Sequence, residues 1–186
     1  MTIGFAMCGS YCTYHQVFPV MELLTRDYDV IPIFSQAAQI TDSRFGTAKE
    51  HMLTAQEICG HEPILTLSQA EPIGPKHLLD ALIIAPCTGN TMAKLAHSIA
   101  DSPVTMAAKS HLRNGRPILV AVSTNDGLAG AAENIGKLLA KKHYYFVPFG
   151  QDNPLQKPTS LIADFNRIPQ ALEMALQEQQ LQPILL

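Results

Sequence analysis

Apolar residues occur along the chain in short unbroken runs, separated by longer stretches where they recur every three or four positions. The unbroken runs at 2–7, 29–34, 81–85, 118–122 and 144–148 read as strands. A shorter one is expected at 63–67. The periodic stretches at 14–25, 47–59, 90–99, 103–113, 129–142 and 168–180 read as helices. Pro19 falls inside the first helix and predicts a kink or a late start there. Residues 35–45 are polar and irregular. The stretch 70–76 carries Pro72, Gly74 and Pro75 and reads as a loop, and 151–163, with Pro154 and Pro158, as a long irregular one. Strands that are apolar at every position are buried on both faces, and strands alternating with helices imply a parallel sheet. The expected architecture is α/β: a three-layer, doubly wound, flavodoxin-like or Rossmann-like parallel sheet of five or six strands. It forms a single domain over residues 1–186, ending in the helix at 168–180.

Composition changes this picture in one respect. Hydrophobic residues make up 47% of the 186 positions, which excludes a disordered chain. Charged residues make up only 16%, against about 25% in typical domains, so part of the surface is expected to be covered by other copies. The net charge of −3 and the scattered Lys and Arg residues argue against a nucleic-acid partner. The densest basic group, Lys141-Lys142-His143, reads as a helix end. No run approaches the length of a membrane span, and the chain starts directly on a strand-like segment, so it is expected to be cytoplasmic with no membrane partner. Cys8, Cys12, Cys59 and Cys87 are then free thiols, and neither they nor the seven histidines have a metal-ligand spacing.

In an open parallel sheet, ligands bind beyond the carboxyl ends of the strands. The residues just after each strand are therefore the candidates. Cys8-Gly9-Ser10-Tyr11-Cys12-Thr13 follows the first strand, Ser35 the second, Pro86-Cys87-Thr88-Gly89-Asn90-Thr91 the run at 81–85, and Ser123-Thr124-Asn125-Asp126-Gly127 the run at 118–122. Pro86 is expected to stop its strand. Each segment alone is an ordinary turn or helix cap. Together they place small and hydroxyl-bearing residues on one sheet edge, with helix-start amides able to hold an anion. None is GxGxxG or GxxxxGK[ST], so neither a dinucleotide site nor triphosphate hydrolysis is supported. A mononucleotide such as FMN, with a neutral ring and one phosphate, suits this chemistry.

The segment Ile84-Ala85-Pro86-Cys87-Thr88-Gly89-Asn90-Thr91-Met92-Ala93-Lys94 resembles the Pro-Ala-Ser-Ala-Asn-Thr signature of a flavoprotein family that includes FMN-dependent cysteine decarboxylases. The likeness extends from Ile3 to about Pro183. It includes Thr41-Asp42-Ser43-Arg44-Phe45-Gly46, Ala70-Glu71-Pro72-Ile73-Gly74-Pro75-Lys76, Leu112-Arg113-Asn114-Gly115 and Tyr145-Phe146-Val147-Pro148-Phe149-Gly150-Gln151-Asp152. The resemblance implies a flavodoxin-like fold, an FMN-type pocket and a homo-oligomer built on trimers. By matching position, it assigns cofactor contacts to Gly9, Ser10, Thr13, Ser35, Pro86, Thr88, Gly89, Asn90, Thr91 and Ser123. It also implies work beside a separate partner protein, on a small dicarboxylate that is a dihydropyridine to be aromatised. Arg44, Lys76 and Asn125 are the candidate contacts for that substrate.

One departure limits the analogy. The decarboxylases carry a base histidine fourteen residues before the signature proline, and here that position is Pro72. Proline cannot take a proton. Glu71 and His77 are the neighbouring substitutes, and an FMN-dependent decarboxylase is the disfavoured reading. A non-catalytic binding partner of the separate protein is the other alternative. Cys87, at a helix start, is either a reactive thiolate or a small buried residue.

Overall fold

The computed structural model describes residues 1–186. Its sheet has the strands β1 (Thr2–Met7), β2 (Asp29–Phe34), β3 (Ala81–Cys87), β4 (Ile118–Thr124), β5 (Tyr144–Phe146), β6 (Phe149–Asn153) and β7 (Lys157–Ala163). β2, β1, β3 and β4 lie side by side in parallel, with Thr2 opposite Asp29 and Met7 opposite Phe34. All seven residues of β3 are buried, as an inner strand covered on both faces must be.

The helices are α1 (Tyr14–Leu24), α2 (Gln36–Ile40), α3 (Ala48–Cys59), α4 (Leu67–Ala70), α5 (Gly89–Ala96), α6 (Pro103–Leu112), α7 (Ala132–Leu139) and α8 (Ile168–Leu176). α1 packs with α3 and α8 on one face, and α6 packs with α4 and α5, and α5 with α7, on the other. Local chemistry sets the ends. Thr47 and Glu50 form a reciprocal cap at the start of α3, and Gly60, at φ 68°, closes it. Ser102 and Thr105 do the same for α6, with Pro103 at its first position. α1 begins at Tyr14, after a 3₁₀ turn at Tyr11–Thr13, and runs on through Pro19, so the late start that Pro19 predicted does not occur.

Several expectations change. The irregular stretch at 151–163 is instead a hairpin, β6 and β7, bringing the sheet to seven strands. Its prolines are accommodated: Pro154 lies in the turn, and Pro158 lies outside the part of β7 that pairs with β4, at Leu161 and Ile162. The pairing of β7 with β4 is antiparallel, so the sheet is mostly rather than wholly parallel. Pro86 does not stop β3. The strand continues to Cys87 through a shift in register after Ile84, where a missing N–H is tolerated. Residues 63–67 make only a single bridge, Ile64 to Ile33, because Thr66 already caps α4. Residues 35–45 contain α2, capped by Ser35. The last helix ends at Leu176, and Gln180 turns back to β5. Its side chain accepts from Phe146 N at 2.7 Å and donates to Phe146 O at 2.7 Å, occupying an otherwise open strand edge.

β4 has two different neighbours along its length. Its first half, Ile118–Val120, pairs with β5; its end, Ser123 and Thr124, pairs with β7. The β6–β7 hairpin therefore stands at the carboxyl edge, beside the loops that follow β1, β3 and β4.

Candidate functional site

A cavity of about 570 Å³ opens at this carboxyl edge. The β1 loop supplies Gly9, Ser10 and Thr13, the β3 loop Thr88, Gly89 and Asn90, and the β4 loop Ser123, Thr124, Asn125 and Asp126. The hairpin adds Asp152, Lys157 and Ser160, and the segment before α3 adds Ser43 and Phe45.

Two contacts lock the loops together. Ser10 Oγ and Ser123 Oγ share a hydrogen bond of 2.7 Å, joining the tips of β1 and β4. Gly89 lies hard against the β4 loop, where a Cβ would be 2.8 Å from both Asp126 Oδ1 and Thr124 Oγ1. That approach is why a glycine stands there. Thr88 caps α5 by accepting from Thr91 N at 3.3 Å, which leaves the Gly89 and Asn90 amides as the first N–H groups of an eight-residue helix. Such groups have no carbonyl one turn back, and they carry the positive end of the helix dipole.

Formal charge is sparse. Lys157 is the lone Lys or Arg of the lining and pairs with Asp152 at 2.6 Å. Asp126 has no cation partner and accepts a hydrogen bond from Thr124 Oγ1. Hydroxyls and helix-start amides thus furnish the donors, and Asp126, whose carboxylate lies against Gly89, furnishes an acceptor beside them. That donor set fits a phosphate and a neutral ring bearing N–H groups.

Of the residues assigned by matching position, Gly9, Ser10, Thr13, Thr88, Gly89, Asn90 and Ser123 line the cavity, as does Asn125. Three stand behind it. Ser35 is spent capping α2, accepting from Ala38 N at 3.3 Å. Thr91 donates to the buried Cys8 sulfur at 3.3 Å. Pro86 is buried within β3. Two substrate candidates lie outside the lining. Arg44 lies over the Phe45 ring at 4.8 Å, and it is that ring that lines the cavity. Lys76 belongs to the descent toward the amino end of β3, four residues before Asp80 N donates to Thr2 O, at the opposite end of the sheet. Glu71 and His77 lie on the same descent and do not reach the cavity.

Cys87 is fully buried, and burial pushes its thiol well above the ordinary range. Cys8 is pushed up to about 11 for the same reason, opposed in part by the hydrogen bond from Thr91. Both are neutral thiols at physiological pH, so Cys87 is a small buried residue and not a thiolate. Sequence reasoning misses Lys157 and Asp152 because the hairpin reads as a loop. Asp126 lies within a segment that the strand-tip rule singles out, and its carboxylate is the available signal.

Residues 1–160 match the family described as Flavoprotein. The B subunit of dipicolinate synthase from Bacillus subtilis (strain 168) is 46% identical over 184 residues, 98% of this chain and 92% of that one. The crystal structure of the corresponding dipicolinate synthase B subunit from Bacillus halodurans superposes with a TM-score of 0.91 at 45% identity, covering 100% of this chain and 95% of the other. The crystal structure of the FMN-dependent cysteine decarboxylase SpaF superposes at 0.70 with 20% identity, covering 96% of each chain, and shares the fold. No helix of the chain is long and apolar enough to cross a membrane.

Proposed function

The chain belongs to the Flavoprotein family, and from that premise we propose that it is the B subunit of a dipicolinate synthase, holding FMN in the carboxyl-edge cavity. The observation that carries this reading is the near full-length identity of 46% to a protein of that name, combined with a cavity whose donors suit a flavin phosphate. The phosphate would be held by Ser10, Thr88 and the amides of Gly89 and Asn90.

Formation of a pyridine dicarboxylate from its dihydro form removes two hydrogens. Bound FMN supplies an acceptor for the hydride equivalent. The chain supplies the rest. Lys157, on the hairpin, pairs with a substrate carboxylate once released from Asp152. Asp126, the lining carboxylate without a lysine partner, takes the proton that leaves the ring as aromaticity forms. Phe45, with Arg44 over it, gives a ring a flat apolar wall.

The A subunit of dipicolinate synthase is the partner this reading requires, and a trimer-based homo-oligomer is the assembly. Ile40 is 74% exposed and Leu155 is 94% exposed, positions that a covering chain would bury. Light scattering that gives a stable monomer would refute the assembly.

The reading is tested by reconstitution: dipicolinate formation by the partner protein alone, by the partner with this chain, and by the partner with the Thr88→Ala/Asn90→Ala variant of this chain, each with and without FMN. Activity that needs this chain, FMN and the intact cavity is expected. A second reading, a non-catalytic binding role beside the partner, draws on Pro72 at the decarboxylases' base position and on the distance of Glu71 and His77 from the cavity. Full activity with the double variant would establish it.

A further inference from the structure

The opposite end of the sheet has its own cavity, of about 490 Å³, which plays no part in the flavin site. It lies where α5, α6 and α7 end and where β5 begins. Leu95, Ile99, Leu112 and Tyr144 give it apolar walls. Lys109, Arg113, Lys141, Lys142 and His143 surround them, and no acidic residue lines it. The folding of α6 thus brings Lys109 and Arg113 to the one dense basic group in the sequence, which by itself marks only the end of α7.

A structural role for these cations is available, since positive side chains stabilise helix C-termini. Lys141 plays it, donating to Leu95 O at 3.0 Å and Ala96 O at 2.8 Å. Two of its three N–H groups are used in this way. The role does not extend to the others: Lys109, Arg113 and Lys142 take part in none of the six ion pairs of the chain and in no side-chain hydrogen bond. Three helix ends contribute roughly −1.5 charges in all, at about half a charge each, against four full positive charges. The cavity keeps a surplus of roughly 2.5 positive charges on a protein whose net charge is −3. Low-dielectric walls concentrate such a field inward.

We propose that this amino-edge cavity is a second ligand site, for a small organic dianion with an apolar or aromatic body. The charge surplus sets the dianion, the Leu95, Ile99, Leu112 and Tyr144 walls set the apolar body, and the volume falls within the range of small-molecule sites. Concavity favours a small molecule over an acidic segment of another protein, which a flat basic patch would serve as well. The site stands independently of the flavin reading.

Calorimetry with benzene-1,3-dicarboxylate as the probe tests it, at low ionic strength and on the full-length chain. One probe per chain is expected at the site that Arg113→Ala/Lys142→Ala removes, counted apart from any probe held at the carboxyl edge. Benzoate should bind roughly tenfold more weakly or worse, because it leaves one cation group unpaired. The Arg113→Ala/Lys142→Ala variant should lose roughly tenfold or more in affinity for the dicarboxylate. Lys49→Ala, which removes an exposed cation on α3 outside both cavities, should bind it like the parent. Two results overturn the proposal: no binding to the parent chain at millimolar probe, or undiminished binding to Arg113→Ala/Lys142→Ala. If the probe fails while Arg113→Ala/Lys142→Ala dissociates the assembly in light scattering, the cations serve a contact between copies instead.

Discussion

The two ends of the sheet are furnished for an anion in opposite ways. At the carboxyl edge helices begin, so α5 offers unpaired N–H groups, and hydroxyls of Ser10 and Thr88 complete a cradle with a single lysine in the lining. At the amino edge helices end, so the backbone offers carbonyls, and the cavity reverses that field with four lysines and arginines. The direction of the helices decides which device each edge uses. It follows that binding at the carboxyl edge depends on backbone geometry and close approach, and binding at the amino edge on formal charge and salt.

The largest effect is expected from closing the carboxyl-edge cradle. In Gly89→Val the side chain meets Asp126 and Thr124, where even a Cβ lies at 2.8 Å. FMN affinity should fall by roughly a thousandfold, through overpacking plus lost amide contacts. Circular dichroism and the melting temperature would show whether the fold survives. Retained flavin binding in a folded variant would mean that the cradle lies elsewhere.

Next comes a pH effect behind the amino edge. His111 is fully buried on α6, donating through Nε2 to Pro117 O at 3.1 Å, with Nδ1 unpartnered. Burial first, and then the Arg116 cation, lower it to about 4 from 6.5. The folded state favours the neutral ring. Its contribution is therefore present above pH 6.5 and is lost as pH falls toward 4. The loss should be about 3 kcal/mol of stability across that window. Denaturant titrations between these pH values should show it, and His111→Gln should flatten the dependence. An unchanged slope in the variant would assign the acid loss to other groups.

Smaller still is the effect of the single carboxyl-edge cation. Lys157→Ala should raise KM for the dicarboxylate in the reconstituted synthase by about tenfold, as expected for one partly solvated charged contact, while leaving FMN affinity unchanged. A fall in flavin affinity instead would place Lys157 on the phosphate. Ser10→Ala should cost about fivefold in FMN affinity, the size of one neutral hydrogen bond, because Ser123 Oγ loses the partner it has at 2.7 Å.

The inner sheet was legible because β1, β3 and β4 are buried on both faces and therefore apolar without interruption. Their tips identified Gly9, Ser10, Thr88, Gly89, Asn90 and Ser123 without reference to any partner strand. The hairpin was not legible. Its pairing rests on backbone bonds at the sheet margin, only Phe149, Ser160, Leu161 and Ala163 of its strand residues are buried, and Pro154 and Pro158 mimic a loop. With it went Lys157. Lys76 lies away from the cavity for another reason: spacing along the chain does not say at which end of the sheet a connecting segment arrives. The basic group at Lys141–His143 was visible, but only the packing of α6 shows that Lys109 and Arg113 share a cavity with it.

The central claim is that the carboxyl-edge cavity binds FMN. Titration of the purified, flavin-free chain with FMN, followed by flavin fluorescence and absorbance, tests it most directly. A saturating change at one FMN per chain is predicted, abolished by Gly89→Val and untouched by Arg113→Ala/Lys142→Ala. No change at tens of micromolar flavin, or a loss of binding in the amino-edge variant alone, would contradict the account.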